Sequence, residues 1–456
     1  MTAPQPTGEG AAADYPAAGT ANYALVLLLL AYILSFIDRN VMAVLIGPIR
    51  ADFAISDFQY SLLHGFAFSM FYIVMGLPIA RLADRHSRKW IITSGLVAWS
   101  VMTCLCGAAR SFGGLFLARV GVGIGEATLS PSAYSMLGDL FPREKLARAL
   151  AVYSLGITLG GGLAYVVGGA VYAWFAQSEP VTLPLLGEMR PWQMTFIAVG
   201  APGLLLAVLL GFLPEPARRG GAVAVAGSAV VEPSTPGLGA IFRHLRAHAR
   251  GYLAPIGAAS VLSILGYGTM AWYPEFLMRS FAMPRAETGS QFGLMFLIAG
   301  SLGALAGGWS VEPLRRRGYA DAPLRIVLLV AALWMVPAIA GPLSSTPEQA
   351  IWWAAPIVFF LNAHFGVGVA AVQFMTPNRM RAQVSALMLF FTNLFGLAFG
   401  PSAVAMLTDF LFGNDLDLRY ALALLPVLVC PLAIALVLQG LSGYRQAISE
   451  EMQKQA

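Results

Sequence analysis

Charged residues are scarce in this chain of 456 residues. Aspartate, glutamate, lysine and arginine together make up 11% of it, while hydrophobic residues make up 58% and the mean hydropathy is +0.71. Soluble domains carry about 25% charged residues, so the composition excludes an ordinary soluble protein and indicates an integral membrane protein. Only three residues are lysine, and no Walker-type phosphate-binding motif is present, which argues against an ATP-driven pump.

Cysteine is also rare. Cys104, Cys106 and Cys430 lie in apolar segments without the spacing of a disulfide framework or a metal site. We interpret them as small buried residues and predict no metal and no cofactor. The net charge of +5 would suit a nucleic-acid partner, but the basic residues lie in short loops between apolar runs. Membrane topology produces this placement, so we predict no nucleic-acid partner.

Twelve apolar segments follow one another, each of about the length that crosses a bilayer. A backbone in lipid must satisfy its own hydrogen bonds, so each segment is predicted to be a helix. The fold class is therefore an all-α integral membrane protein with twelve transmembrane helices in two bundles of six. The predicted segments are 22–48, 58–83, 90–110, 113–138, 146–175, 191–213, 252–281, 287–312, 323–342, 349–376, 381–411 and 418–441.

The predicted domains follow from these segments. They are a disordered tail (1–21), an N-terminal bundle (22–213), a linker (214–251), a C-terminal bundle (252–441) and a second tail (442–456). The linker carries Arg218 and Arg219 and ends in a predicted short basic amphipathic helix at the membrane surface. Arginines concentrate in the loops on the linker's side, so the positive-inside rule predicts a cytoplasmic linker and cytoplasmic termini. The expected location is the plasma membrane, or the inner membrane of a bacterium.

Related loops recur in the two halves. The stretch 141–151 opens the fifth segment, and the similar stretch 376–386 opens the eleventh. Matching loops imply parallel repeats with a binding site at their interface.

The loop at 80–89, Ala-Arg-Leu-Ala-Asp-Arg-His-Ser-Arg-Lys, resembles the cytoplasmic signature loop of the major facilitator superfamily. Ala80 and Ser87 stand where that signature usually has glycine. Two further stretches carry the resemblance. Arg119-x-x-x-Gly123-x-Gly125-Glu126-Ala127 is similar to the fourth-span signature, and 160–169 is a degenerate form of the antiporter signature. The resemblance covers all twelve segments and implies the major facilitator fold.

Three short motifs resemble the Spinster branch of that superfamily. They are Phe36-Ile37-Asp38-Arg39, Gly123-Ile124-Gly125-Glu126-Ala127 and Gly138-Asp139-Leu140-Phe141-Pro142. Spinster proteins move sphingolipids and lysophospholipids, including sphingosine-1-phosphate. The resemblance implies an amphiphilic lipid as substrate.

Four ionisable residues interrupt apolar segments of the N-terminal half. Asp38 and Arg39 lie in the first segment, where each charge costs at least about 2.5 kcal/mol. Arg119 and Glu126 are seven residues apart, so they stand on nearly one face of the fourth helix. We predict Asp38 as the proton carrier, Arg119 as its modulating partner, and Glu126 as a second titratable or headgroup-sensing group. Arg39 is predicted to bind a substrate anion or to act structurally.

A structural network of ion pairs is the alternative interpretation of the same residues. Buried ion pairs contribute little stability, which favours the functional interpretation. The pairing of arginines with carboxylates stays open at this point.

The C-terminal half is apolar and aromatic by comparison. We predict that Phe391, Asn393 and His364 contact the substrate, together with Arg39, Arg119 and Glu126. Ordinary packing is the alternative for the aromatic residues, and a hydrogen bond between helices is the alternative for His364.

A cytoplasmic gate is predicted around Asp84, which would bond to arginines and to the N-terminus of the eleventh helix when the gate is closed. Its candidate partners are Arg85, Arg88, Arg148 and Arg381. Positive charge that only sets topology is the alternative.

The sequence thus predicts a transporter and not an enzyme. We expect a proton-coupled secondary transporter of an amphiphilic lipid that works by alternating access. Its expected partners are a lipid-like substrate, protons and membrane lipids, and it is expected to act as a monomer. The alternatives are a transporter of the same fold for another organic anion or drug, and a lipid scramblase or channel.

Overall fold

The computed structural model describes residues 15–184, 186–218 and 238–455. Residues 1–14 of the predicted tail and Arg219 of the linker lie outside this part. Within it, twelve helical segments are long and apolar enough to cross a membrane, the number that the sequence predicts. The first helix begins at Ala18, inside the segment predicted to be a tail.

Six membrane segments form the N-terminal bundle, and several consist of more than one helix. Its helices are α1 (Ala18–Asn40), α2 (Ile46–Phe53), α3 (Asp57–Ser61), α4 (Ala67–Arg85), α5 (Arg88–Ala108), α6 (Phe112–Glu126), α7 (Leu129–Leu140), α8 (Arg143–Gln177) and α9 (Pro191–Gly211). Strands β1 (Val181–Leu183) and β2 (Gly187–Met189) form an antiparallel hairpin between α8 and α9, with Thr182 opposite Glu188. No feature of the sequence pattern predicts this hairpin.

The linker contributes one helix, and the remaining segments form the C-terminal bundle. These helices are α10 (Leu238–Ala247) in the linker, then α11 (Ala249–Phe281), α12 (Arg285–Arg316), α13 (Ala322–Ala340), α14 (Pro347–Met375), α15 (Arg381–Asn393), α16 (Gly400–Met406) and α17 (Leu418–Gln455).

The two ends of the bundles differ. We call the end with the linker and the loops at 86–87, 141–142, 317–321 and 376–380 the linker end, and the opposite end the far end.

Several membrane segments are interrupted between the two ends. A 3₁₀ turn, Val41–Val44, follows α1, and α6 stops at Glu126. Wider π turns at Leu62–Phe66 and Leu394–Phe399 join α3 to α4 and α15 to α16. These turns pack against each other, since a Cβ on Gly65 would lie 2.6 Å from the carbonyl oxygen of Leu397.

A glycine-lined seam joins the bundles where α8 meets α12. A Cβ on Gly289 would lie 2.2 Å from the carbonyl oxygen of Tyr165, and one on Gly293 would lie 2.6 Å from that of Gly162. On the other helix, a Cβ on Gly169 would lie 2.6 Å from the carbonyl oxygen of Arg285. Small residues let membrane helices approach this closely. Gly162 and Gly169 of the 160–169 stretch therefore build a direct contact between backbones of the two bundles.

Replacing Gly289 with alanine is expected to destabilise this seam. The new methyl group would overlap a backbone oxygen that cannot rotate away, and overpacking of this kind costs about 1 to 3 kcal/mol. The midpoint of thermal unfolding in detergent should fall for Gly289→Ala. Gly308→Ala, on the same helix, is the matched control because nothing lies within 4 Å of its Cβ position. Equal midpoints for the two variants would contradict the tight seam.

Candidate functional site

The four ionisable residues predicted from the sequence lie together inside the N-terminal bundle. Asp38 and Arg39 occupy the last turn of α1, and Glu126 is the last residue of α6. The helices end here, so their last carbonyl groups are free to accept bonds from side chains. Asp38, Arg119 and Glu126 are all buried.

Arg39 and Glu126 form an ion pair. The Nε of Arg39 lies 2.5 Å from Oε2 of Glu126, and the hydroxyl of Ser35 donates to the same oxygen over 2.7 Å. The Glu126 side chain is fully buried, whereas 12% of the Arg39 side chain is exposed. Oε1 of Glu126 is buried without a hydrogen-bond partner. Arg39 is thus the more accessible member of the pair.

Aromatic rings surround the Arg39 guanidinium. Its central carbon lies 4.5 Å from the ring centre of Tyr72, 4.9 Å from that of Phe68 and 5.0 Å from that of Phe36. Phe68 also lies 5.3 Å from the guanidinium of Arg119. Cation–π contacts of this kind help to hold a cation that has lost its water.

Arg119 contacts the main chain of Asp38, not its carboxylate. Nη1 of Arg119 donates to the main-chain carbonyl of Asp38 over 3.3 Å, and the hydroxyl of Thr103 donates to Oδ2 of Asp38 over 3.1 Å. Oδ1 of Asp38 and both Nε and Nη2 of Arg119 are buried without hydrogen-bond partners. Among the described residues, no ion pair within 4.0 Å joins these two side chains. In this conformation the carboxylate that pairs with an arginine is therefore that of Glu126, and its arginine is Arg39.

Several residues of the site were missed in the sequence. Ser35 lies one helical turn before Arg39, and this spacing places both side chains on the same face of α1, which could have identified Ser35 from the sequence. Thr103, Phe68 and Tyr72 come from other segments, and only packing brings them to the site. His64, on the π turn Leu62–Phe66, carries a buried Nδ1 atom without a hydrogen-bond partner.

The residues predicted in the C-terminal bundle are dispersed. The Nδ1 of His364 donates to the carbonyl oxygen of Leu361 over 2.5 Å, and its ring lies 5.5 Å from that of Trp334. His364 is buried within its own bundle, while Phe391 and Asn393 are half-buried near the end of α15. Contact of these three residues with a substrate stays a prediction.

The predicted gate residues at the linker end bond within their own halves. Arg88 binds Asp139 and lies 3.0 Å from Oε1 of Glu215 in the linker. Nε of Arg381 donates to the carbonyl oxygen of Thr376 over 3.0 Å. Asp84, Arg85 and Arg148 are exposed, and no hydrogen bond or ion pair between described residues links their side chains to α15. The latch around Asp84 stays a prediction.

Charged side chains join the two bundles at the far end. Arg279 of α11 binds Asp57 of α3 through two bonds of 2.7 Å, and it also lies 2.8 Å from Oε1 of Glu275. Arg50 lies 3.0 Å from Asp57 and 2.8 Å from Asp415. We call these five residues the far-end network.

Two further hydrogen bonds add to the far-end network. The backbone N–H of Phe58 donates to Asp409 over 2.7 Å, and the hydroxyls of Ser61 and Ser402 lie 3.0 Å apart. The bundles are thus bonded to each other at the far end, whereas at the linker end no contact between the predicted gate residues joins the bundles in the part of the chain that the structure describes.

Two six-helix bundles with ionisable residues buried inside one of them define a multi-pass membrane transporter. The sequence profile of the Major Facilitator Superfamily matches residues 28–401. The chain therefore belongs to the Major Facilitator Superfamily.

Individual relatives narrow the comparison. The chain is 30% identical over 416 residues to an MFS-type efflux pump of Mycolicibacterium smegmatis, covering 90% of this chain and 89% of the relative. It is 26% identical to the sphingosine-1-phosphate transporter SPNS2 of Xenopus tropicalis, covering 87% of this chain and 77% of the relative. The fold is similar to the crystal structure of a bacterial homologue of the human lysosomal transporter Spinster in an inward-facing, unoccupied conformation. The TM-score is 0.78, with 27% identity and coverage of 96% and 98% of the two chains. The predicted resemblance to Spinster transporters is confirmed.

Glu215 ties the linker to the N-terminal bundle, and its titration is testable. Partial burial acts to raise its pKa. Hydrogen bonds from Ser87, the Lys89 N–H and Arg88 outweigh burial and lower the pKa of Glu215 below its usual value. A depressed carboxyl pKa contributes stability above the ordinary glutamate value of about 4.3, and this contribution is lost as the pH falls through the depressed value.

We expect Glu215→Gln to lower the free energy of unfolding at pH 7 by up to about 1 kcal/mol, since solvent screens this partly exposed group. The difference from wild type should shrink as the pH falls below about 4.3. Thermal unfolding in detergent at several pH values measures it. Glu312→Gln, which removes an exposed pair with Arg316, is the control and should have little effect. A Glu215→Gln difference that does not change with pH would contradict the anchoring role.

Proposed function

We propose that the chain is a proton-coupled secondary transporter of an amphiphilic lipid with an anionic headgroup, similar to sphingosine-1-phosphate or a lysophospholipid. The observation that carries the proposal is the Arg39–Glu126 pair inside its cage of aromatic rings. The cation at this site is accessible, and its carboxylate partner is buried and has one oxygen free.

The proposed mechanism is an exchange of partners at Arg39. A headgroup phosphate that reaches the partly exposed Arg39 side chain competes with Glu126 for its N–H donors. Glu126 left without its arginine is a buried charge, which is costly unless it takes up a proton. Substrate binding and protonation are thereby coupled. Asp38 has an oxygen without a hydrogen-bond partner and lies on the same helix turn, so it is the second proposed proton site.

Alternating access follows from the far-end network. Its bonds hold the bundles together on one side, and the linker end lacks the matching gate contacts in the described part of the chain. With the linker on the cytoplasmic side, as its arginines suggest, this conformation is inward-facing. The inward-facing relative of similar fold supports that interpretation. We further infer that both termini are cytoplasmic, that a monomer is sufficient and that no catalytic step is involved.

A second candidate is efflux of a drug or another organic anion, favoured by the efflux pump that is 30% identical to this chain. The cage around Arg39 favours an amphiphile, because aromatic rings accommodate the apolar atoms that adjoin a headgroup.

Replacing Arg39 tests the substrate class. We expect Arg39→Gln to weaken binding of a lysophospholipid about 10- to 100-fold, because a hydrogen bond to a charged group contributes about 1.5 to 3 kcal/mol. The measurement is competition against labelled lysophospholipid in proteoliposomes, with lysophosphatidate and galactonate as competitors. With the wild-type protein, lysophosphatidate should compete with the labelled lysophospholipid and galactonate should not.

Arg316→Gln removes an exposed arginine at the linker end and is the charge-matched control. Competition by galactonate with equal strength would favour a transporter of polar anions. Flux that neither saturates nor responds to a pH gradient would identify a scramblase or channel instead.

Neutral variants of the two carboxylates test proton coupling. Asp38→Asn and Glu126→Gln should each lose most of the stimulation of uptake by a pH gradient, because neither side chain can then carry a proton. Exchange of substrate across the membrane without a gradient should persist. Uptake into proteoliposomes with and without an imposed gradient measures both.

Thr103→Val tests whether the position of the Asp38 carboxylate matters, since it removes the hydrogen bond from the Thr103 hydroxyl and leaves the carboxylate in place. Thr158→Val is its control, because the Thr158 hydroxyl bonds only within its own helix. Undiminished stimulation by the gradient in both carboxylate variants would rule out the proposed proton sites.

A further inference from the structure

A groove of about 600 Å³ lies between the two bundles at the far end. Gly47 and Asp52 contribute to it from α2, Tyr172 from the end of α8, and Arg190 from the segment before α9. The C-terminal bundle contributes Arg285, the first residue of α12. The groove is separate from the ionisable site in the bundle, and the proposed transport mechanism makes no use of it.

Arg285 has no carboxylate partner. Its guanidinium lies 5.0 Å from the ring centre of Tyr172, and its Nε atom is buried without a hydrogen-bond partner. No ion pair within 4.0 Å involves it among the described residues. Glu275 also lies near Gly47, but its Oε1 accepts from Arg279. A buried guanidinium nitrogen left without an acceptor is costly, so an arginine held in this way indicates an acceptor from outside the chain.

The position of Arg285 is fixed by its neighbours. A Cβ on Gly47 would lie 2.7 Å from Nη2 of Arg285, so the guanidinium occupies space that only glycine leaves free at this position. The ring of Tyr172 provides a second contact, a cation–π interaction with the guanidinium. The guanidinium is therefore pre-organised at the wall of the groove.

A second arginine lies across the groove. Arg190 forms an ion pair with Asp52, and the indole N–H of Trp192 donates to the same carboxylate. Over half of the Arg190 side chain, 55%, remains exposed. Two guanidiniums and one carboxylate line the groove, and the carboxylate of Glu275 lies close by, with its Oε1 atom 3.4 Å from the Cβ position of Gly47. Trp174, 66% exposed near the end of α8, lies at the same end of the bundle. Exposed tryptophan is typical of the level of lipid headgroups.

We infer that this groove binds a phosphate group through Arg285 and Arg190, and that in the membrane this phosphate belongs to an anionic phospholipid. Arginine suits the ligand because its planar fork donates two parallel hydrogen bonds to phosphate oxygens. The groove spans both bundles beside the α8–α12 seam, so a bound headgroup bridges the halves at the end where the far-end network joins them.

Native mass spectrometry of the full-length protein in detergent, with equimolar phosphatidylglycerol and phosphatidylcholine, tests the inference. Wild type should retain phosphatidylglycerol about tenfold over phosphatidylcholine, a preference of roughly 1.4 kcal/mol. Arg285→Gln should reduce that ratio to about one, because the guanidinium that donates to the phosphate oxygens is gone. Arg316→Gln should leave the ratio unchanged. Phosphatidylglycerol retention by Arg285→Gln at the wild-type ratio would overturn the inference.

Gly47→Ala is a second variant that keeps every charge. The added methyl group should displace the Arg285 guanidinium and lower the ratio in the same direction, and an unchanged ratio would count against the site. Asp38→Asn should retain phosphatidylglycerol like wild type, so failure here and failure of the proton mechanism are distinguishable.

Inorganic phosphate separates the two sources of the ligand. Lipid-selective retention that millimolar phosphate does not displace supports the phospholipid. Thermal stabilisation by phosphate that Arg285→Gln abolishes, with no preference among lipids, supports a phosphate site and overturns its assignment to lipid.

Discussion

The desolvation of charge inside an apolar bundle is the constraint on which the arrangement of the N-terminal half depends. A pair such as Arg39 and Glu126 gains little net stability in such a place, because removing both groups from water offsets their attraction. The surroundings reduce this cost. The hydroxyl of Ser35 and the rings of Phe68 and Tyr72 replace water around the pair. Helix α1 ends beside it, which exposes a carbonyl oxygen to Arg119. The interruptions of the helices and the placement of the charges thus both reduce the cost of burying charge in the bundle.

The contacts between the bundles divide into two kinds with different consequences for motion. The glycine seam of α8 and α12 is apolar, and its backbones touch, so separating it would expose surface without replacing any interaction. The far-end network consists of arginines and carboxylates, among which Asp57 and Glu275 are buried and Asp415 is exposed. Separating the bundles at this end would return these groups to water, which can replace their partners. A rocking motion that keeps the seam and breaks the far-end network is therefore the motion that costs least.

Hydropathy predicts the architecture well, because lipid requires each apolar segment to be a continuous or nearly continuous helix. It also predicts that Asp38, Arg39, Arg119 and Glu126 belong to one cluster, since charges in apolar segments must find each other. The pairing was not predictable. It depends on where α1 and α6 stop, and no proline or glycine rule fixes those ends within one residue. The pairing of Arg279 with Asp57 was not predictable either. It depends on how the two bundles are aligned with each other, which no local sequence pattern specifies.

The two π turns that meet at Gly65 explain how bonds at the far end can be linked to the middle of the bundles. The segment α3–α4 carries Asp57 before its turn and Phe68 and Tyr72 after it, so one helix touches both the far-end network and the cage around Arg39. A π turn holds an extra residue and has wider hydrogen-bond geometry than the α-helix around it. The far-end network and the cage of rings around Arg39 are therefore built on one continuous segment, α3 to α4, which the π turn divides.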